Sequence, residues 1–219
     1  MAGTPGAYEM VVHARYNPEA VAQYNIVPGL MGVILTMTMV LMTSLAITRE
    51  TERGTMENLL ATPANALEVM TGKIVPYVLI GLIQVTLILT LARWIFGVPI
   101  QGSLVTLYVA VLLFIVANLT LGLTFSSLAR NQLQAMQMTF FFFLPSILLS
   151  GFMFPFRGMP GWAQAIGEVL PITHFLRIVR GVLLKGNGLA EIGSEVWPIL
   201  VFMTAVIAIG LRSFRSTLD

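Results

Sequence analysis

The densest chemistry in the sequence is Arg49-Glu50-Thr51-Glu52-Arg53-Gly54, which places four charges within five residues, with Thr55 and Glu57 just beyond. Carboxylates interleaved with guanidinium groups suit a solvated, salt-bridged surface or a polar docking contact. Chemistry of other kinds is missing. Without a cysteine there is no thiolate nucleophile, thiolate metal site or disulfide framework. His13 and His174 stand alone, with no acidic residue at metal-ligand spacing, and serines 126, 127, 146 and 150 have no general base nearby in sequence. No G-x-x-x-x-G-K-[ST] run cradles nucleotide phosphates, so any uphill work needs energy from another chain. No catalytic, metal or cofactor residue is assigned.

The elements that position the charged turn follow from where charges are absent. The 219 residues are 57% apolar and 10% charged, and residues 20–48, 74–92, 94–129, 131–156 and 196–211 carry no charge at all. A hydrocarbon core about 30 Å thick needs about 20 helical residues. The expectation is therefore an all-α, polytopic membrane helix bundle with five spans, near 28–47, 74–96, 104–128, 132–154 and 192–212. Pro28 suits a helix's first turn, Gly97-Val98-Pro99 with Gly102-Ser103 suits a tight turn, and Arg130-Asn131 joins two spans as a short hairpin. Between the first two spans, Thr55 and Thr62-Pro63 offer caps for two short surface helices joined at an elbow. The stretch 155–195 is too polar to span and reads as short interfacial helices, with Trp162 and Trp197 as headgroup-level anchors.

The centres of the spans hold no aspartate, glutamate, lysine or histidine, which disfavours a proton pump or an ion-coupled transporter. Gln84, Asn118, Thr120, Thr124, Gln134 and Gln137 either bond between helices or line a substrate path; the first is the commoner role of such groups in lipid. Met37, within Thr36-Met37-Thr38-Met39, and Phe141, within Phe140–Phe143, either pack or offer an adaptable apolar surface to amphiphiles. The residues weighed for a substrate path are Met37, Gln84, Asn118 and Phe141. The net charge of +2 does not suggest nucleic acid as a partner. An external N-terminus divides the basic residues equally between the two sides, with denser charge on the cytoplasmic side.

Read in order, the residues resemble the membrane subunits of ABC-2-type exporters, most closely the bacterial multidrug-type permeases. The resemblance rests on Arg49-Glu50-x-Glu52-Arg53-Gly54-Thr55-x-Glu57-x-Leu59-x-x-Thr62-Pro63, followed by Gly72-Lys73 and Pro76. It extends through Tyr16-Asn17-Pro18-Glu19, Pro28-Gly29, Phe96-Gly97-x-Pro99-x-x-Gly102-Ser103, Gln134-Ala135, Leu144-Pro145-Ser146, Ser150-Gly151-Phe152, Met159-Pro160-x-Trp162 and Arg180-Gly181. Thr51 stands where a lysine is common.

The resemblance implies a transport subunit with no nucleotide site of its own. Arg49, Glu50, Glu52, Arg53, Gly54, Thr55 and Glu57 would belong to a cytoplasmic coupling elbow, Arg49–Lys73, that engages a separate ABC ATP-binding subunit. A second permease copy or paralogue would face it in the bilayer, and residues 157–195 would form external re-entrant helices. The location implied is the bacterial inner membrane, with the first residue outside and the C-terminus cytoplasmic. Family members usually begin with a further span and a large external domain; residues 1–23 resemble the end of that domain, and 24–219 the transmembrane domain. The function implied is ATP-driven export of hydrophobic or amphiphilic compounds. The alternative is a non-transporting membrane scaffold that recruits a cytoplasmic protein through the 49–73 elbow.

Overall fold

The computed structural model describes residues 22–53 and 66–215, and among them the regular structure is all helical, with no strand. Residues 1–21 of the expected 1–23 remnant and residues 54–65 of the expected elbow, with Gly54, Thr55 and Glu57, lie outside the described residues. Residues 22–23 belong to a long helix, and Ala66 to Met70, expected to end a short elbow helix, begin another long helix that continues to Trp94. Seven α-helices are described: α1 (Ala22–Glu52), α2 (Ala66–Trp94), α3 (Leu104–Leu128), α4 (Gln132–Leu149), α5 (Gly161–Val169), α6 (Pro171–Arg180) and α7 (Leu189–Arg215). Five of them, α1 to α4 and α7, are long and apolar enough to cross a membrane.

Helix ends follow local chemistry. α1 starts six residues before Pro28, which sits inside the helix and costs it one backbone bond. The α2–α3 connection turns at Gly97, whose φ of +61° favours glycine. Asn131 caps α4 by accepting the Gln134 N–H at 2.8 Å, while the Gln134 side chain accepts the Arg130 N–H at 2.8 Å, a variant of the capping box. α4 runs through Pro145 and ends at Leu149, not at the expected 154, because Gly151 adopts a left-handed φ of +81°. α6 begins with Pro171 in its first turn and continues as a wider π turn, Gly181–Lys185, which stops at Gly186 with φ +74°.

α1 and α3 form the centre. α1 packs against α2, α3, α4 and α6, and α3 against α1, α2, α6 and α7. Leu35, Met39, Phe114, Ile115, Ile172, Leu176 and Val179 share one core, where the Phe114 and Phe175 rings stack at 4.0 Å and 3°. Backbones come close where side chains vanish. A Cβ on Gly122 of α3 would lie 2.9 Å from the Val40 carbonyl of α1, and one on Gly102 would lie 2.5 Å from the Val182 carbonyl in the π turn. α6 is not a surface element: Pro171 to Leu176, Ile178 and Val179 are all buried among the long helices. α2 is the reverse, with Val75, Leu79, Ile83, Leu87 and Leu91 forming an exposed apolar stripe at four-residue spacing.

Some polar groups inside the bundle bond across helices, although most hydroxyls return to a carbonyl of their own helix, as Thr36 does to Gly32 and Thr120 to Val116. Thr38 of α1 donates to Gln84 of α2 at 2.9 Å, Thr124 of α3 donates to the Val206 carbonyl of α7 at 3.2 Å, and Ser44 of α1 meets Thr139 of α4 at 3.2 Å. Asn118 bonds only within its own helix. It is fully buried and returns its amide N–H to the Phe114 carbonyl of its own helix at 2.8 Å, leaving Oδ1 without a partner.

Candidate functional site

The antiparallel helices gather the end of α1, the start of α2 and the α3–α4 junction at one end of the bundle. Arg49 is exposed on the last turn of α1 and Arg53 just past its end, where the Arg53 N–H donates to the Arg49 carbonyl at 3.2 Å. Glu52 reaches sideways. Its carboxylate accepts the Gln132 backbone N–H at 2.7 Å and the Gln132 side-chain amide, so a negative charge sits on the N-terminus of α4 where the helix dipole favours it. Glu50, half-buried, lines a small cavity of about 200 Å³ with Ala46, Ile47, Pro76 and Tyr77, between α1 and α2. The described part of the charged turn thus splits into two exposed cations and a carboxylate that ties α1 to α4.

The four residues weighed for a substrate path stand on four different helices. Met37 and Gln84 are half-buried in α1 and α2, Asn118 is enclosed in α3, and Phe141 is 79% exposed on α4. None of them lines the small α1–α2 cavity, the open groove along α2 between Leu79 and Leu91, or the cavity beside Arg180.

At the opposite end, sequence reading missed a polar cluster. His174 of α6 is 4% exposed and bonded at both ring nitrogens: Nδ1 to Glu195 of α7 at 2.6 Å and Nε2 to the Glu168 carbonyl of α5 at 2.8 Å. Two acceptors require two N–H groups, which describes the imidazolium form. Burial alone would push its pKa down, but the Glu195 and Glu168 hydrogen bonds and the Glu195 charge outweigh burial and the opposing Arg177, so the pKa is raised. Arg177 completes the cluster, bonding Glu168 at 2.9 Å and Glu195 at 3.5 Å, with its guanidinium 4.7 Å from the Phe156 ring centre. The only signal in the sequence was histidine and arginine one turn apart on a short helix, with their carboxylates 6 and 21 residues from His174 on two other elements.

Five apolar helices long enough to cross a bilayer, closed around buried α3 and carrying charge at their ends, define a polytopic membrane protein. A family model described as "ABC-2 type transporter" matches residues 6–184, and the chain belongs to that family. It is 34% identical over 211 residues to the Escherichia coli (strain K12) "Probable multidrug ABC transporter permease YbhR", covering 96% of this chain and 57% of that one. It is 37% identical over 208 residues to "Probable multidrug ABC transporter permease YbhS" of the same organism, covering 94% and 55%. "Inner membrane transport permease YhhJ", also from that strain, is 32% identical over 193 residues, covering 87% and 52%. The chain spans little more than half the length of these relatives.

Proposed function

We propose that this chain forms the membrane-spanning part of an ATP-driven ABC exporter for hydrophobic or amphiphilic compounds, energised by a separate ATP-binding subunit. The observation that carries the reading is the end of α1. Two exposed arginines lie on a turn whose carboxylate is bonded to α4, so a partner pressing on the charged turn moves both helices together. The names of the bacterial relatives support the transport class, and one of them supports an inner-membrane location.

In this reading residues 49–73, with Arg49, Glu50, Glu52, Arg53, Gly54, Thr55 and Glu57, form the cytoplasmic coupling segment. The end bearing α5 and α6 faces outward, a second copy or paralogue completes the permease, and 24–219 acts as the transmembrane unit. Met37, Gln84, Asn118 and Phe141 come to a common path only when the helices rearrange or the partner permease is present.

The test is substrate-stimulated ATP hydrolysis by the intact protein reconstituted in vesicles with its ATP-binding subunit. Arg49→Glu with Arg53→Glu lowers stimulated hydrolysis and flux together while leaving helix content unchanged. Wild-type coupling in that variant overturns the assignment of the segment. Stable binding of the partner without flux of any substrate tried identifies a scaffold instead.

A further inference from the structure

The C-terminal end of α4, the loop after it, α6 and the first turns of α1 enclose a cavity of about 340 Å³, within the ~300–1,000 Å³ range of small-ligand sites. Phe152, Met153, Phe154 and Phe156 give it an apolar wall, and Arg177 and Arg180 give it positive charge. The two arginines are in different states. Arg177 is matched by Glu168 and Glu195. Arg180 has no carboxylate within salt-bridge distance among the described residues; its terminal nitrogens reach only the Gly151 carbonyl, at 3.3 and 3.4 Å, and the Asn25 carbonyl, at 3.4 Å. Its Nε is buried without a partner, and burial depresses its pKa.

Among the described residues, neighbouring charges do not relieve it. Glu168 and Glu195 are engaged by Arg177 and His174, two carboxylates against two cations, which leaves the Arg180 charge in excess. A half-buried guanidinium answered only by carbonyl dipoles carries a desolvation cost, and an anion bonded by its fork lowers that cost. Exposed Trp162 and Trp197 at the same end of the bundle are the residues that settle at headgroup depth.

We propose that this cavity binds the phosphate headgroup of an anionic membrane amphiphile, with Arg180 as the charged contact and the phenylalanine wall against the apolar part. The site stands whether or not the chain exports anything, because a scaffold would retain it equally.

The test uses the full chain in neutral maltoside detergent, titrated with short-chain phosphatidylglycerol, diacylglycerol of the same chain length, and inorganic phosphate. Thermal unfolding and native mass spectrometry of retained lipid are the readouts. Phosphatidylglycerol binds at least about tenfold more tightly than diacylglycerol, the scale of a charge-assisted hydrogen bond. Arg180→Gln abolishes that preference. Met153→Glu does so too, by adding a competing carboxylate at a wall position that is 58% exposed and tolerant of substitution. Stabilisation by inorganic phosphate alone shows that the headgroup suffices, whereas stabilisation by the lipid only shows that the tail is held as well; either supports the site. Equal binding of the two lipids, or a preference that survives both substitutions, overturns it.

Discussion

Raising the pH from 6 to 8.5 should loosen the α5–α6–α7 end of the bundle through His174. Both of its ring nitrogens face acceptors, and the groups around it are Glu168 and Arg177 beside it and Glu195 from α7. Its folded pKa is raised, so its contribution to stability is complete below the unfolded value of about 6.5 and is lost as pH rises through the folded value. Deprotonation then leaves one acceptor facing a lone pair. A hydrogen bond to a charged group contributes about 1.5–3 kcal/mol. The Glu195 side chain is 26% exposed and keeps Arg177 as a partner, so the lower end of the range, about 2 kcal/mol, applies after solvent screening. For a chain of this size that is roughly 4–8 °C in unfolding temperature. Thermal unfolding in detergent across this pH range, for wild type, His174→Gln and His13→Gln, provides the measurement. His174→Gln should be less stable at pH 6 and nearly flat with pH, and His13→Gln should follow wild type. A wild-type slope that persists undiminished in His174→Gln would refute the reasoning, because histidine is the side chain whose unperturbed pKa falls in this window.

Three further outcomes follow from the packing. Glu52→Lys removes the acceptor of Gln132 and places a cation on the α4 N-terminus, so it should speed hydrogen exchange over the first turn of α4, whereas Arg53→Glu should not. Asn118→Leu replaces a buried amide whose oxygen has no partner, so the isolated chain should unfold at the same or a higher temperature; a fall of more than about 2 kcal/mol would show that Asn118 has a partner in the bundle. Gly122→Val inserts a branched side chain 2.9 Å from the Val40 carbonyl and should destabilise the α1–α3 crossing by about 1–3 kcal/mol, read by thermal unfolding.

The five long helices were legible because a bilayer demands uninterrupted apolar length, but their ends do not all follow the charges: α4 stops at Leu149 inside a charge-free run, and α2 runs through Lys73. The turn at Gly97 was legible as well, whereas the Asn131–Gln134 cap, a local signal, was read only as a short hairpin connection. The burial of α6 was not. Pro171–Arg180 carries a histidine and two arginines, so composition alone points to an interface. What buries it is complementarity with other elements: Gly32 of α1, where a Cβ would lie 3.0 Å from Leu176, and the face of Phe114 against Phe175. The same holds for Glu52, which belongs by sequence to a docking surface but is bonded to a residue 80 positions away. Pairwise contacts at such separations depend on helix placement, and local propensity does not encode that.

The length of α1 gives these separate observations a mechanical relation. Its 31 residues extend about 46 Å at 1.5 Å per residue, well beyond a hydrocarbon core of about 30 Å, so its charged last turn can stand clear of lipid. Near its other end, Gly29 lies under the Phe152 ring, Gly32 under α6, and the Asn25 carbonyl against Arg180. Rigid-body tilting about the close α1–α3 contact at Gly122 would displace those three contacts whenever the charged turn is pushed. Side-chain cushions are missing at Gly29, Gly32 and Gly122, so little of the motion is absorbed before it reaches α6. If the turn receives force from a partner, the first structures to respond at the far end are therefore α6 and the cavity beside Arg180, and hydrogen exchange there should change when a partner binds about 30–40 Å away.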